Sequence, residues 1–130
     1  MEALGRHALA EFGGCDNALL NDPDQLLTIL EEAAVYAKAT VIEKVKTTYG
    51  KDGFLGMIII SESHLTAYSL PGTGNVVIDV FTCGDEVNPL VAISYLQEKF
   101  QAKYFTIKQI LRGDINEIAK YSNKSEYQVA

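Results

Sequence analysis

Asp22-Pro23 and Asn88-Pro89 each place a capping side chain directly before a proline, the pairing that most strongly marks a helix start. Leu26, Leu27, Leu30, Ala33, Ala34 and Ala37 follow the first pair at helical spacing and predict an amphipathic helix over 23–38. Leu90, Ile93, Leu96 and Phe100 follow the second and predict a helix over 89–101. Everything between the two is strand-like: β-branched or apolar runs at 40–48, 54–62, 65–70 and 76–82, separated by short turn segments. Such turns suit antiparallel neighbours, because parallel strands need long crossovers. A strand at 6–12 precedes the first helix and one at 103–111 follows the second. The order β-α-β-β-β-β-α-β predicts an α+β fold. It is a two-layer sandwich, a mainly antiparallel sheet with both helices on one face. Residues 1–130 read as a single domain, with 113–130 as an irregular tail.

Helices on one face leave the other uncovered. Runs 54–62 and 76–82 are apolar on both sides, and in the second Val77, Asp79 and Phe81 share a face. The bare face therefore calls for a partner, and a homodimer or higher assembly is expected. The formal net charge of -6 argues against nucleic acid or an anionic membrane and suits a cationic small molecule. No signal peptide is read at the N-terminus, and the strongest apolar run, Met57 to Ile60, is far too short to span a bilayer. With only Cys15 and Cys83 for thiols, a reducing cytoplasm is the expected location.

Few residues announce chemistry on their own. His7 and His64 are the only histidines, and two isolated imidazoles are a poor metal site, so no metal is expected. The glycines of PGTGN fit a hairpin turn better than a phosphate loop, since no strand-loop-helix with a lysine follows. Ser63, His64 and Asp79 are the residue types of a hydrolase triad. In an extended segment, however, neighbours point to opposite sides, which sets His64 away from Ser63. Cys83, at a strand end before Gly84, is either a site thiol or a small buried hydrophobe.

The stretch SESHLTAYSLPGTGNVVIDVFTCGDEVNP, 61–89, resembles the bacterial and archaeal S-adenosylmethionine decarboxylase proenzymes. GRHALAEF near the start, the Cys15-Asp16 pair, Ser61 to Thr66 and Ile78 to Gly84 carry the likeness, which extends over nearly the whole chain. The resemblance implies self-cleavage between Glu62 and Ser63. The Ser63 hydroxyl attacks the Glu62 carbonyl, the resulting ester is eliminated, and a pyruvoyl group remains on the new N-terminus. That group forms a Schiff base with the substrate amine and serves as electron sink, with no external cofactor and no metal. Cys83 is implied as the proton donor to the carbanion. Tyr49 is implied to lie against the substrate adenine. The product would feed spermidine and other polyamine biosynthesis.

The chain departs from the family pattern at four positions. Tyr68 stands where a histidine, the usual base of self-processing, is expected. Leu55 replaces a serine, Leu70 a tryptophan, and Gly72 a glutamate associated with the substrate ribose. Three readings follow. The first is a working S-adenosylmethionine decarboxylase. The second is a relative redirected to arginine or ornithine, whose cationic tail would pair with Glu11, Glu62 or Asp79. The third is an uncut, catalytically silent regulatory paralogue.

Overall fold

The computed structural model describes residues 3–50, 53–70 and 72–121. Its frame is one six-stranded antiparallel sheet in the order β2-β3-β4-β5-β1-β6. The strands are β1 (Gly5–Gly13), β2 (Val41–Tyr49), β3 (Gly53–Ile60), β4 (Ser63–Leu70), β5 (Asn75–Cys83) and β6 (Tyr104–Arg112). Helices α2 (Pro23–Tyr36) and α3 (Pro89–Lys99) pack side by side on one face, α2 over β2 and β3, α3 over β1 and β5. This is the α+β sandwich the periodicity predicts, with the element order intact. No helix among the described residues is long and apolar enough to cross a membrane.

Both long helices start as the Asx-Pro pairs dictate. The Asp22 carboxylate accepts the Gln25 N–H at 3.1 Å, and the Asn88 side chain accepts that of Leu90 at 3.0 Å. Each such cap contributes about 1 kcal/mol by satisfying a donor the helix leaves bare. Leu26, Leu30, Ala33, Ala34, Ile93 and Leu96 then meet Ala8, Ala10, Ile58, Leu65, Ile78 and Val80 of the sheet in a single core. Truncating a fully buried leucine such as Leu30 to alanine should cost about 2–5 kcal/mol.

Two short helices escape the sequence reading. α1 (Asn17–Leu20) forms between the strand at 6–12 and the helix at 23–38, where no element is predicted, because Asp16 caps it through the Ala18 N–H and Leu19 and Leu20 are buried. α4 (Ile115–Tyr121) falls in the segment expected to be irregular; Asp114 accepts from the N–H groups of Asn116 and Glu117 and starts it. The rest of that expected tail, 122–130, lies outside the described residues, as do 51–52 of the turn after β2 and Pro71 of the turn after β4.

Strand parity fixes what the uncovered face carries. The register aligns Ile59, His64, Phe81, His7 and Ile110 in one row across the sheet. Leu55, Tyr68, Val77, Glu11 and Thr106 form another, toward the opposite end of the strands. Leu55, Met57, Leu70, Val77 and Ile110 are exposed there.

Candidate active site

β3 and β4 are joined by a two-residue turn, Ser61-Glu62. Turns this tight want residues at positive φ, usually glycine or asparagine. With neither present, the distortion falls on the next residue: Ser63 has φ of 144°, a conformation L side chains rarely adopt. Holding it there costs about 1–3 kcal/mol. The first residue of β4 is thus strained on the C-terminal side of the Glu62–Ser63 bond.

Ser63 sits opposite Thr82, one residue before Cys83. The Cys83 N–H donates to the Glu62 carbonyl at 2.7 Å, so the carbonyl that precedes Ser63 already has a hydrogen-bond donor on it. Cys83 is a free, exposed thiol, which removes the reading of a small buried hydrophobe. Cys15 is the buried one, and desolvation pushes its thiol up to about 11. Gly5 lets β1 pass this close: a Cβ there would lie 2.4 Å from the Thr82 carbonyl oxygen and 2.7 Å from the Phe81 ring. The Glu62 carboxylate accepts the Thr40 N–H at 3.1 Å, which ties it to the backbone before β2.

The expected separation of Ser63 from His64 fails. Ser63 Oγ lies 3.1 Å from His64 Nδ1, because the positive φ breaks the alternation on which that expectation rests. His64 Nε2 is 3.0 Å from Asp79 Oδ1, and His7 Nε2 is 2.9 Å from the same oxygen. Thr66 Oγ1 donates to Asp79 Oδ2, and Arg112 donates to His7 Nδ1 at 2.8 Å. Burial pushes the Asp79 pKa up, but hydrogen bonds from His64, Thr66 and His7 outweigh it and hold the carboxyl well below the usual carboxylate range. Phe81 floors the cluster, stacked on His7 at 5.3 Å and edge-on to His64 at 5.9 Å, with Arg112 over its ring.

The ligand-type atoms of His7, His64 and Asp79 lie within 4.8 Å of one another, and they are the group that could hold a cation among the described residues. As the side chains stand, both imidazoles are hydrogen-bonded to Asp79, with a guanidinium against His7.

The remaining sequence-level candidates lie elsewhere. Tyr68 is five positions along β4 from Ser63, a span of about 17 Å at strand rise. Tyr49 stacks on Tyr68 with centroids 5.1 Å apart, and desolvation together with the Tyr68 hydrogen bond pushes its hydroxyl up to about 12. Glu11, in the same row, accepts from Thr106 Oγ1 at 2.6 Å and borders a concavity of about 420 Å³ with Leu70, Val77 and Tyr104. Gly72, where the family pattern has glutamate, adopts φ of 89° in the turn after β4, a conformation that favours glycine. Within one chain, then, Glu62, Ser63 and Cys83 come together, while Tyr49, Tyr68 and Glu11 form a second group at the far end. Asp79 joins the first group beside His64, as the residue types of a triad suggest, while His7 and Arg112 enter it unannounced.

A family model described as S-adenosylmethionine decarboxylase matches residues 6–113. The S-adenosylmethionine decarboxylase proenzyme of Acetivibrio thermocellus is 44% identical over 123 residues, covering 95% of this chain and 99% of that protein. The proenzyme of the same name from Pelotomaculum thermopropionicum is 46% identical over 117 residues, covering 90% and 93%. Among solved structures, the adenosylmethionine decarboxylase from Aquifex aeolicus superposes with a TM-score of 0.80 at 27% identity, over 87% of this chain and 93% of that one.

Proposed function

Because the chain belongs to the S-adenosylmethionine decarboxylase family, we propose that it cuts itself between Glu62 and Ser63 and then decarboxylates S-adenosylmethionine. The observation that carries this reading is the 2.7 Å bond from the Cys83 N–H to the Glu62 carbonyl. It gathers the acyl group to be attacked, the attacking serine and the thiol at one point. A donor on that carbonyl stabilises negative charge as the carbon becomes tetrahedral. Strain at Ser63 favours the rearrangement, since breaking the amide frees φ.

These residues fit a pyruvoyl group made from Ser63: the hydroxyl has a hydrogen-bonding imidazole beside it, and the scissile carbonyl has its donor. Once formed, the group supplies the electron sink for loss of carbon dioxide from a bound amine. Cys83, exposed at the end of β5, is placed to deliver a proton there. The net charge of -6 suits a sulfonium substrate. The product belongs to polyamine biosynthesis, and the enzyme works in the cytoplasm.

The bare sheet face supports a homodimer. Its exposed Leu55, Met57, Leu70 and Val77 make an apolar surface of the kind monomers seldom leave open. Stacked face to face about a two-fold axis, each copy would lay its Tyr49–Tyr68 end over the other's Ser63. Adenine would then stack on Tyr49 of the second copy.

Intact mass and carbon dioxide release from S-adenosylmethionine, arginine and ornithine, measured side by side, test the reading. Chains of 1–62 and 63–130 with dominant release from S-adenosylmethionine are expected. Dominant release from either amino acid would overturn the substrate. A chain that stays whole and inactive would make it a silent paralogue.

A further inference from the structure

We infer that His64 is the base that activates Ser63 for self-cleavage. This rests on the proposal above, that Ser63 attacks its own chain, and adds which group takes the hydroxyl proton. Position 68, where the family keeps a histidine, holds Tyr68, which lies about 17 Å along the same strand and, reaching over from a second copy, would bring a phenol in place of an imidazole. His64 is in contact with the nucleophile instead, its Nδ1 3.1 Å from Ser63 Oγ.

The hydrogen bonds decide which way that imidazole works. Asp79 is held ionised, so its oxygens can only accept. His64 Nε2 lies 3.0 Å from Asp79 Oδ1 and must carry the proton of that bond. The neutral ring then turns the Nδ1 lone pair to the Ser63 hydroxyl, the tautomer a general base requires. Asp79 is the positioning residue. Thr66 holds its second oxygen, and His7, itself oriented by Arg112, shares the first. Ser63, His64 and Asp79 thus form a hydrogen-bonded series of the nucleophile-base-carboxylate type, directed at the peptide bond next to it.

The step balances without any outside reactant. The Ser63 Oγ proton passes to His64 Nδ1 as Oγ bonds to the Glu62 carbonyl carbon. The negative charge on the Glu62 oxygen rests on the Cys83 N–H. The carbon–nitrogen bond then breaks, and the Ser63 nitrogen takes the proton back from His64, leaving an ester and a free amine. Removal of the Ser63 α-proton and elimination of the ester come afterwards and are not assigned to His64.

The test uses the full chain with His64→Asn and His64→Ala, freshly purified and followed by intact mass. Asparagine keeps an acceptor near the Nδ1 position but is not basic. The expected result is cutting at least about 100-fold slower in both variants, from the usual contribution of a general base. The uncut chain should resist hydroxylamine, which splits esters and not amides, as the Ser63→Ala chain should. Thermal unfolding beside Ser63→Ala confirms the fold; should His64→Ala unfold, His64→Asn carries the test. Cutting at the parent rate would overturn the inference and leave the Ser63 chemistry standing. Release of chain 1–62 by hydroxylamine from a variant would also overturn it, because the ester would have formed without His64. A parent chain that never cuts would remove the underlying proposal, and the inference with it.

Discussion

At the Ser63 end of the bare sheet face, a series of polar side chains is tied together: Ser63 to His64, His64 and His7 to Asp79, Arg112 to His7. At the Tyr49 end, the same strands present a stacked tyrosine pair and exposed Leu55, Leu70 and Val77 beside the carboxylate of Glu11. The first end is a hydrogen-bonded network, and the second is an exposed apolar surface. The departures from the family pattern follow the same division: Leu55, Tyr68, Leu70 and Gly72 all fall toward the second end, whereas Glu62, Ser63 and Cys83 are kept at the first.

The division can be broken most decisively at Ser63. Ser63→Ala should abolish cutting altogether, read as a single intact mass after prolonged incubation; a cut at the same bond would refute the serine chemistry. Cys83→Ala should separate two roles of one residue. Its backbone N–H is retained, so cutting should proceed, while turnover falls about 10²–10⁴-fold as expected for loss of a proton donor. If turnover holds, the thiol has no part in the reaction. At the other end, Tyr49→Ala should raise KM about 2- to 10-fold with little change in cutting, the range an aromatic stack supports. An unchanged KM would show that the Tyr49 end never meets substrate.

The smallest effect should come with acid. The folded Asp79 carboxyl titrates below its unfolded value of about 3.9, so the stability it contributes is present above that value and is lost as pH falls through the folded one. The Tm advantage of the parent over Asp79→Asn should therefore shrink as pH drops below about 4. A gap independent of pH would mean that the Asp79 charge stabilises nothing. Chelators should leave both cutting and turnover unchanged; a loss would make a metal site of the His7, His64 and Asp79 group.

Where local rules govern, the sequence was readable. Asp22-Pro23 and Asn88-Pro89 set both long helices, and alternation set six strands. The register was not readable, and register is what carries His7 on β1 to Asp79 on β5 and Arg112 on β6 to His7, across 72 and 105 residues of chain. Ser63 and His64 were misjudged for a local reason: a tight turn without glycine put a positive φ on Ser63, and strand alternation assumes regular backbone. The distance of Tyr68 from Ser63 within one chain follows from strand rise alone.

The strand order has one more consequence. A cut after Glu62 assigns β1, β2 and β3 to one polypeptide and β4, β5 and β6 to the other, yet β1 lies between β5 and β6. The two pieces are therefore interleaved, and neither can leave without tearing the β1–β5, β1–β6 and β3–β4 ladders. Before the cut, unfolding is a unimolecular and retraceable event. After such a cut, recovery would require two separate molecules to meet and rethread, so it would depend on concentration, and the persistence of the cut protein would be set by how slowly it comes apart.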